Sequence, residues 1–343
     1  MKTLLRLLLK SQHQRNRSGL APTDKGMTLV ELLVGAIMAF LIITPMLGFV
    51  VDMLNTDRRE QVKSNTEQDL QAAVDFIAQD LSQAIYIYDN KAINVGTVAT
   101  PAIRDQLPEK GNPNRVPILV FWKRQLIKNS IPVDASTLKP KDCSPNTCND
   151  TYLRSLVAYY QFKDTDNTWC QPSGNGNDCP TRIARYEITD GVKNPLTQAY
   201  YDDSETTNEQ RKNSAFNEKF DFSKPTIDVT MRAGFPDPQV LVNYIDHSTA
   251  NVPQPPDCKN ALGVVDPTAA GSTPINAADL LITDGSTHSF YACVDTSKNL
   301  ARVTIRGNSL RRLQANDTVY KANKSAFFPT ATVQVQGLGA VGK

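Results

Sequence analysis

The chain has 343 residues, 40% of them apolar, enough for one large domain or two ordinary ones with a packed core. Its formal net charge of +2 averages two unlike parts. Residues 1–26 hold six bases (Lys2, Arg6, Lys10, Arg15, Arg17, Lys25) against Asp24, a net +5; the remainder holds 31 bases and 34 acids, a net −3, which excludes an electrostatic case for a nucleic-acid partner.

Next in chain order is Glu31, followed by LLVGAIMAFLIITPMLGFVV (32–51), twenty residues without a charge. At 1.5 Å per residue this makes roughly 30 Å of helix, the thickness of a bilayer core. Bases before the span and an acidic chain after it place the N-terminus in the cytoplasm and residues beyond the span in the periplasm, in a single-pass inner-membrane topology. Pro45 and Gly48 are tolerable in such a helix. A cleavable secretory signal fits poorly, because the apolar run is too long and the following VVDMLNTDRRE lacks a small-residue cleavage site. A plain membrane anchor explains the hydropathy but gives Glu31 nothing to do except snorkel to the headgroups.

The stretch KGMTLVELLV (25–34) resembles the processing site of type IV prepilins and type II secretion pseudopilins. The resemblance implies cleavage between Gly26 and Met27 by prepilin peptidase and N-methylation of the new Met27 terminus. It also makes Glu31 the assembly glutamate, with Thr28, Leu29, Leu32, Leu33 and Val34 completing the match. Two departures stand out: Met27 replaces the family's more frequent phenylalanine, and the 26-residue leader is long. The chemistry is intelligible. Glycine, with no Cβ, lets a catalytic site approach the scissile bond closely. Cutting ahead of the apolar run leaves it attached, first as an anchor and later as a packing helix. A carboxylate costs about 2.5–3.5 kcal/mol at the centre of a membrane helix and less near its edge. The freed amine of Met27 on a neighbouring subunit offsets that cost by pairing with Glu31. The implied partners are prepilin peptidase, other pilins or pseudopilins of the same filament and an inner-membrane assembly platform; no cofactor is implied.

Helical character continues past the span. Leu70, Val74, Ile77, Leu81 and Ile85 fall at spacings of 4, 3, 4 and 4, one apolar stripe, while Gln68, Asp69, Gln71, Asp75, Gln79, Asp80 and Gln83 lie on other faces. One helix from about Met27 to about Tyr88, 62 residues and roughly 93 Å, is expected, ending at Asp89–Asn90. The organisation is thus a leader (1–26), a membrane and assembly helix (27–51), an amphipathic helix (52–89) and a β-rich extracytoplasmic domain (90–343). FIAQDLSQAIYIYD (76–89) resembles the minor-subunit branch that includes PilW and GspJ. Together GFVVDMLNTDRREQ (48–61) and PILVFWKRQ (117–125) are similar to cyanobacterial pseudopilins linked to hormogonium polysaccharide secretion.

Beyond residue 90 the signals are β. Residues 116–123, 155–162, 182–189, 239–245, 288–294, 300–306 and 330–336 are rich in β-branched and aromatic side chains, bounded by Pro, Gly, Asn and Asp. Long polar stretches at 190–225 and 246–287 read as loops that bind something or move. The fold class is α+β and pilin-like: a long N-terminal helix packed on an antiparallel sheet with long disulfide-closed loops. Six cysteines in an oxidising compartment allow fifteen connectivities. Sequential pairing (Cys143 with Cys148, Cys170 with Cys179, Cys258 with Cys293) is preferred because the first two pairs bracket loops rich in Pro, Gly and Asn. Zinc is disfavoured, since no Cys-x-x-Cys pair exists and the three histidines are scattered.

No phosphate-binding loop, nucleophile elbow or paired-histidine motif appears, so no enzymatic activity is expected. DTDNT (164–168) offers Asp164 and Asp166 as a calcium candidate, but it lacks the glycine and distal glutamate of an EF-hand, and a solvated turn before Trp169 is favoured. YYDDSE (200–205) reads as a surface acidic loop. RGNSLRR (306–312), with Arg306, Arg311 and Arg312, reads as a solvated basic face, or as a contact for an anionic polymer. The expected function is a non-enzymatic minor pilin or pseudopilin supporting secretion or motility. The competing reading is a singly anchored extracytoplasmic enzyme or receptor, which needs neither Gly26 nor Glu31.

Overall fold

The computed structural model describes residues 28–95, 102–166, 168–171, 179–218, 234–268 and 274–338. The chain divides into two compact units, Met1–Asp57 and Arg58–Lys343. A single helix, α1 (Leu29–Ser82), passes through Pro45 without interruption. It stops short of Tyr88. Ile85 keeps phase with the apolar stripe, yet Ile85, Tyr86 and Ile87 are β-branched or aromatic, and such side chains fit a pleated surface better than a helix. They form strand β1 (Ala84–Ile87), which pairs antiparallel with β2 (Arg115–Pro132).

Among the described residues nine strands make two antiparallel sheets rather than the single expected one. The first runs in strict chain order through β1, β2, β3 (Cys148–Lys163), β4 (Thr181–Thr189) and β5 (Gln239–Ile245). The second runs β6 (Leu281–Thr283), β7 (Phe290–Asp295), β8 (Leu300–Arg306) and β9 (Thr330–Gln336). Consecutive antiparallel neighbours need only local connections, which suits a chain that alternates strand and turn signals.

The arrangement is α+β, and the Arg58–Lys343 unit is organised by a main hydrophobic core with smaller clusters beside it. Leu70, Val74, Ile77 and Leu81 of α1 lie buried in it together with Leu119 and Phe121 of β2, Val157 of β3, and Val303 and Ile305 of β8. Helix and second sheet approach closely at Gly307, where an added Cβ would meet Thr66 Cγ2 at 2.9 Å and Leu70 Cδ1 at 3.0 Å. Only glycine permits that approach. The opposite face of β2 is also buried: Trp122 donates its indole N–H to the Tyr88 hydroxyl at 2.8 Å, satisfying both polar groups inside the core.

Disulfides join Cys143 to Cys148, Cys170 to Cys179 and Cys258 to Cys293, the last tying the short helix Cys258–Leu262 to β7. The described part of the first long polar stretch, 190–218, is not free. Val192 and Tyr201 pack on Ile127 and Leu153, and Phe216 stands edge-on to Trp122.

Candidate functional site

Gly26 and Met27, the processing pair named from sequence, lie outside the described residues. The described residues begin with Thr28 and show how α1 starts. The Thr28 backbone N–H and hydroxyl both donate to Glu31 Oε2, at 3.0 and 2.9 Å, and the Glu31 N–H donates back to Thr28 Oγ1 at 3.3 Å. This reciprocal Thr-x-x-Glu arrangement is a capping box, which satisfies donors a helix start otherwise leaves unpaired. Glu31 therefore has a local role that its position in the apolar stretch does not reveal. From Leu29 to Leu54 the large apolar side chains are exposed, among them Leu32, Ile37, Phe40, Ile43 and Phe49. This helix is long and apolar enough to cross a membrane, and its most apolar window buries nothing against the chain.

The second half of α1 is held by charge as well as by apolar contact. Asp80, placed by periodicity among the polar faces, is 6% exposed. Its carboxylate takes Lys123 Nζ of β2 at 3.0 Å on one oxygen, and Arg185 Nε of β4 and the Tyr159 hydroxyl of β3, each at 2.7 Å, on the other. Glu187 closes the cluster, 2.9 Å from Lys123 and 2.6 Å from Arg185. Burial pushes the Asp80 carboxyl up, but Arg185 and Lys123 outweigh it and hold the group below its ordinary value of 3.8. Glu187 is likewise raised by burial and lowered further by Lys123 and Arg185. Tyr159 moves the other way, kept protonated by burial and by the Asp80 charge. Two acids and two bases, each ion-paired with both groups of opposite charge, make a compensated buried network that fixes which face of α1 meets three strands. Asp80 stands within FIAQDLSQAIYIYD (76–89), but sequence alone carried no signal for its partners, which are 43 to 105 residues away.

Asp164 and Asp166, the weak calcium candidate within an expected solvated turn, are engaged by the chain itself. Asp164 is buried with its oxygens committed to two guanidiniums, Arg115 at 2.6 Å and Arg182 at 2.5 Å. Burial would raise its pKa, yet Arg182 and Arg115 hold it below the usual carboxylate range. Asp166 spends Oδ1 on the backbone N–H groups of Thr168 and Trp169, so the two acids do not converge on a common point. Arg182 also lies over Trp169, 4.1 Å from the ring centroid. Among the described residues no group of three or more His, Cys, Asp and Glu is placed to hold a metal ion.

The basic run 306–312 is not a solvated face. Arg306 is 4% exposed and binds Asp246 at 3.0 Å, with further bonds to the carbonyls of Thr287 and His288. Arg311 is fully buried and donates to the Ala315 carbonyl, and Arg312 pairs with Asp69 of α1 while covering Tyr244. The acidic stretch 200–205 is a folded turn: Asp202 and Glu205 form a capping box, Glu205 pairs with Lys139 at 2.7 Å, and Tyr200 donates to Asp190. A small cleft of about 140 Å³ is bordered by Val116, Asn114, Gln161, Lys163, Thr181 and Asp284. The Asp284 carboxylate is occupied by its own loop, accepting from Ser286, Thr287 and His288.

No family model matches this chain, and neither a curated protein nor a solved structure matches it.

Proposed function

We propose that this chain is a minor pilin or pseudopilin, a non-enzymatic structural subunit of a type IV pilus-like or type II secretion-like filament. In this reading prepilin peptidase cuts between Gly26 and Met27, and the subunit leaves the inner membrane to join other pilins. The PilW- and GspJ-like resemblance, and the similarity to subunits of polysaccharide secretion, support a minor position in such an assembly. One observation carries the reading: a single helix joins an apolar half that its own chain leaves uncovered to a half clamped on a sheet by Asp80. A filament of packed helices supplies the missing cover.

A second reading retains support from the Thr28–Glu31 box. A singly anchored extracytoplasmic enzyme or receptor would need Glu31 only to start its helix. Glu31→Gln separates the two, because glutamine keeps the capping geometry and removes the charge. The filament reading predicts that Glu31→Gln inserts in the membrane and is cut at Gly26, yet co-purifies with the filament far less than wild type. An unpaired amine buried between subunits is the costly state, typically several kcal/mol. Equal incorporation of Glu31→Gln and wild type would deny Glu31 an assembly role.

A further inference from the structure

The two sheets have four edges, and three are protected. β1 is four residues long, and the carbonyls of Ala84 and Ile87 accept from Asn299 Nδ2 and Thr296 Oγ1, each at 2.8 Å. β6 has three residues. β5 pairs irregularly with β4, turns at Tyr244 with φ of 57°, and is engaged by the Asn308 N–H and a bridge from Ile245 to Gly307. Short edges, bulges and covering groups are the devices that stop a strand from recruiting another chain.

Among the described residues β9 has none of them. It runs seven residues, Thr330–Gln336, in unbroken register with β8. No charged residue and no proline occurs within it, and no charge occurs from Ser325 to Gln336. The flanking bonds, Gly307 N–H to the Pro329 carbonyl and Gly337 N–H to the Asn299 carbonyl, set the alternation. Ala331, Val333 and Val335 turn their backbone groups to β8, so Thr330, Thr332, Gln334 and Gln336 direct theirs to the open side. Among the described residues nothing hydrogen-bonds to those groups. The core-facing Ala331, Val333 and Val335 remain only half-buried, as expected of an edge with no strand beside it.

We propose that β9 is an association edge that pairs antiparallel with β9 of a second copy of this chain. The pattern of the strand argues for that occupant. Thr-Ala-Thr-Val-Gln-Val-Gln alternates symmetrically about Val333. Self-pairing centred there sets Thr330 beside Gln336 and Thr332 beside Gln334 on the solvent face, with Ala331 beside Val335 and Val333 beside itself on the core face. Polar meets polar, apolar meets apolar, and no like charges oppose one another, which a charged strand cannot achieve with its own copy. The contact is isologous and closes as a dimer with an eight-stranded sheet. It draws on no feature of the N-terminal helix and stands independently of the filament reading.

The test uses the full chain in membranes of a heterologous host. The described cysteines are all in disulfides, so Thr332→Cys adds the one thiol needed for a short bismaleimide. Cross-linked product at twice the chain mass is expected about tenfold above that from Leu196→Cys, a control thiol on another exposed surface. Gln334→Pro removes an outward-facing N–H and leaves the β8 ladder intact, so combined with Thr332→Cys it should lower the dimer about tenfold without moving the unfolding midpoint. Gln334→Lys, which keeps the strand and adds a repelling charge, should do the same if the proline disturbs folding. Dimer at the control level, dimer insensitive to both substitutions, or an adduct to a different protein would overturn the proposal.

Discussion

The two halves of α1 share one secondary structure and almost nothing else. Between Leu29 and Leu54 the large apolar side chains are exposed, and the only described side-chain bonds to Glu31 come from Thr28. Between Thr66 and Leu81 one stripe is buried, and the most polar residue in it, Asp80, is bound by three strands. The contrast separates forming a helix from supplying its surroundings. Backbone hydrogen bonds form both halves, but the second completes its environment within the chain, whereas the apolar side chains of the first stay uncovered by it.

That comparison breaks most sharply at Asp80. Asp80→Ala leaves Lys123 and Arg185 buried with Glu187 as their remaining acid, and should cost about 3–5 kcal/mol of stability. Denaturant unfolding followed by the fluorescence of buried Trp122 reads the loss. An unchanged midpoint would show that the cluster does not hold the helix. Next comes an apolar pair. Ile77→Ala, in the buried stripe, should lower stability by about 2–5 kcal/mol. Leu41→Ala, 62% exposed, should leave the same transition unmoved. Equal effects would mean that both halves are packed on one core.

The smallest expected effect is an acid response. Asp80, Asp164 and Glu187 all have folded pKa values below their ordinary 3.8 and 4.5. Depressed carboxyls contribute stability that is present above the unfolded values and lost as pH falls through the folded ones. The unfolding midpoint should therefore hold steady above pH 4.5 and fall below it. Asp80→Asn should shallow that fall. A stability that declines instead between pH 7 and 5 would implicate groups outside these clusters.

Legibility followed the range of the signal. Strands such as β3 and β8 announce themselves because β-branched and aromatic residues alternate between turn residues, a pattern complete within eight residues. Ile85 misled because it satisfies helical spacing and strand propensity at once, and only pairing with β2 decides between them. Arg306, Arg311 and Arg312 look like a solvated basic run because the acids that accept two of them, Asp246 and Asp69, are 60 and 243 residues away. Asp164 resembled a cation ligand for the same reason: its partner Arg115 lies 49 residues earlier. β6 was missed because three residues carry too little alternation to read. The Thr28–Glu31 box is local, a Thr-x-x-Glu spacing complete within four residues at the start of an apolar run.

The most direct test of the account is the mass of the mature N-terminus. Protein recovered from its native membrane should begin at Met27, carrying a methyl group on the terminal amine, and Gly26→Val should accumulate at full length. Wild-type protein that retains residues 1–26 in its native host would contradict the filament reading and leave a plain membrane anchor in its place.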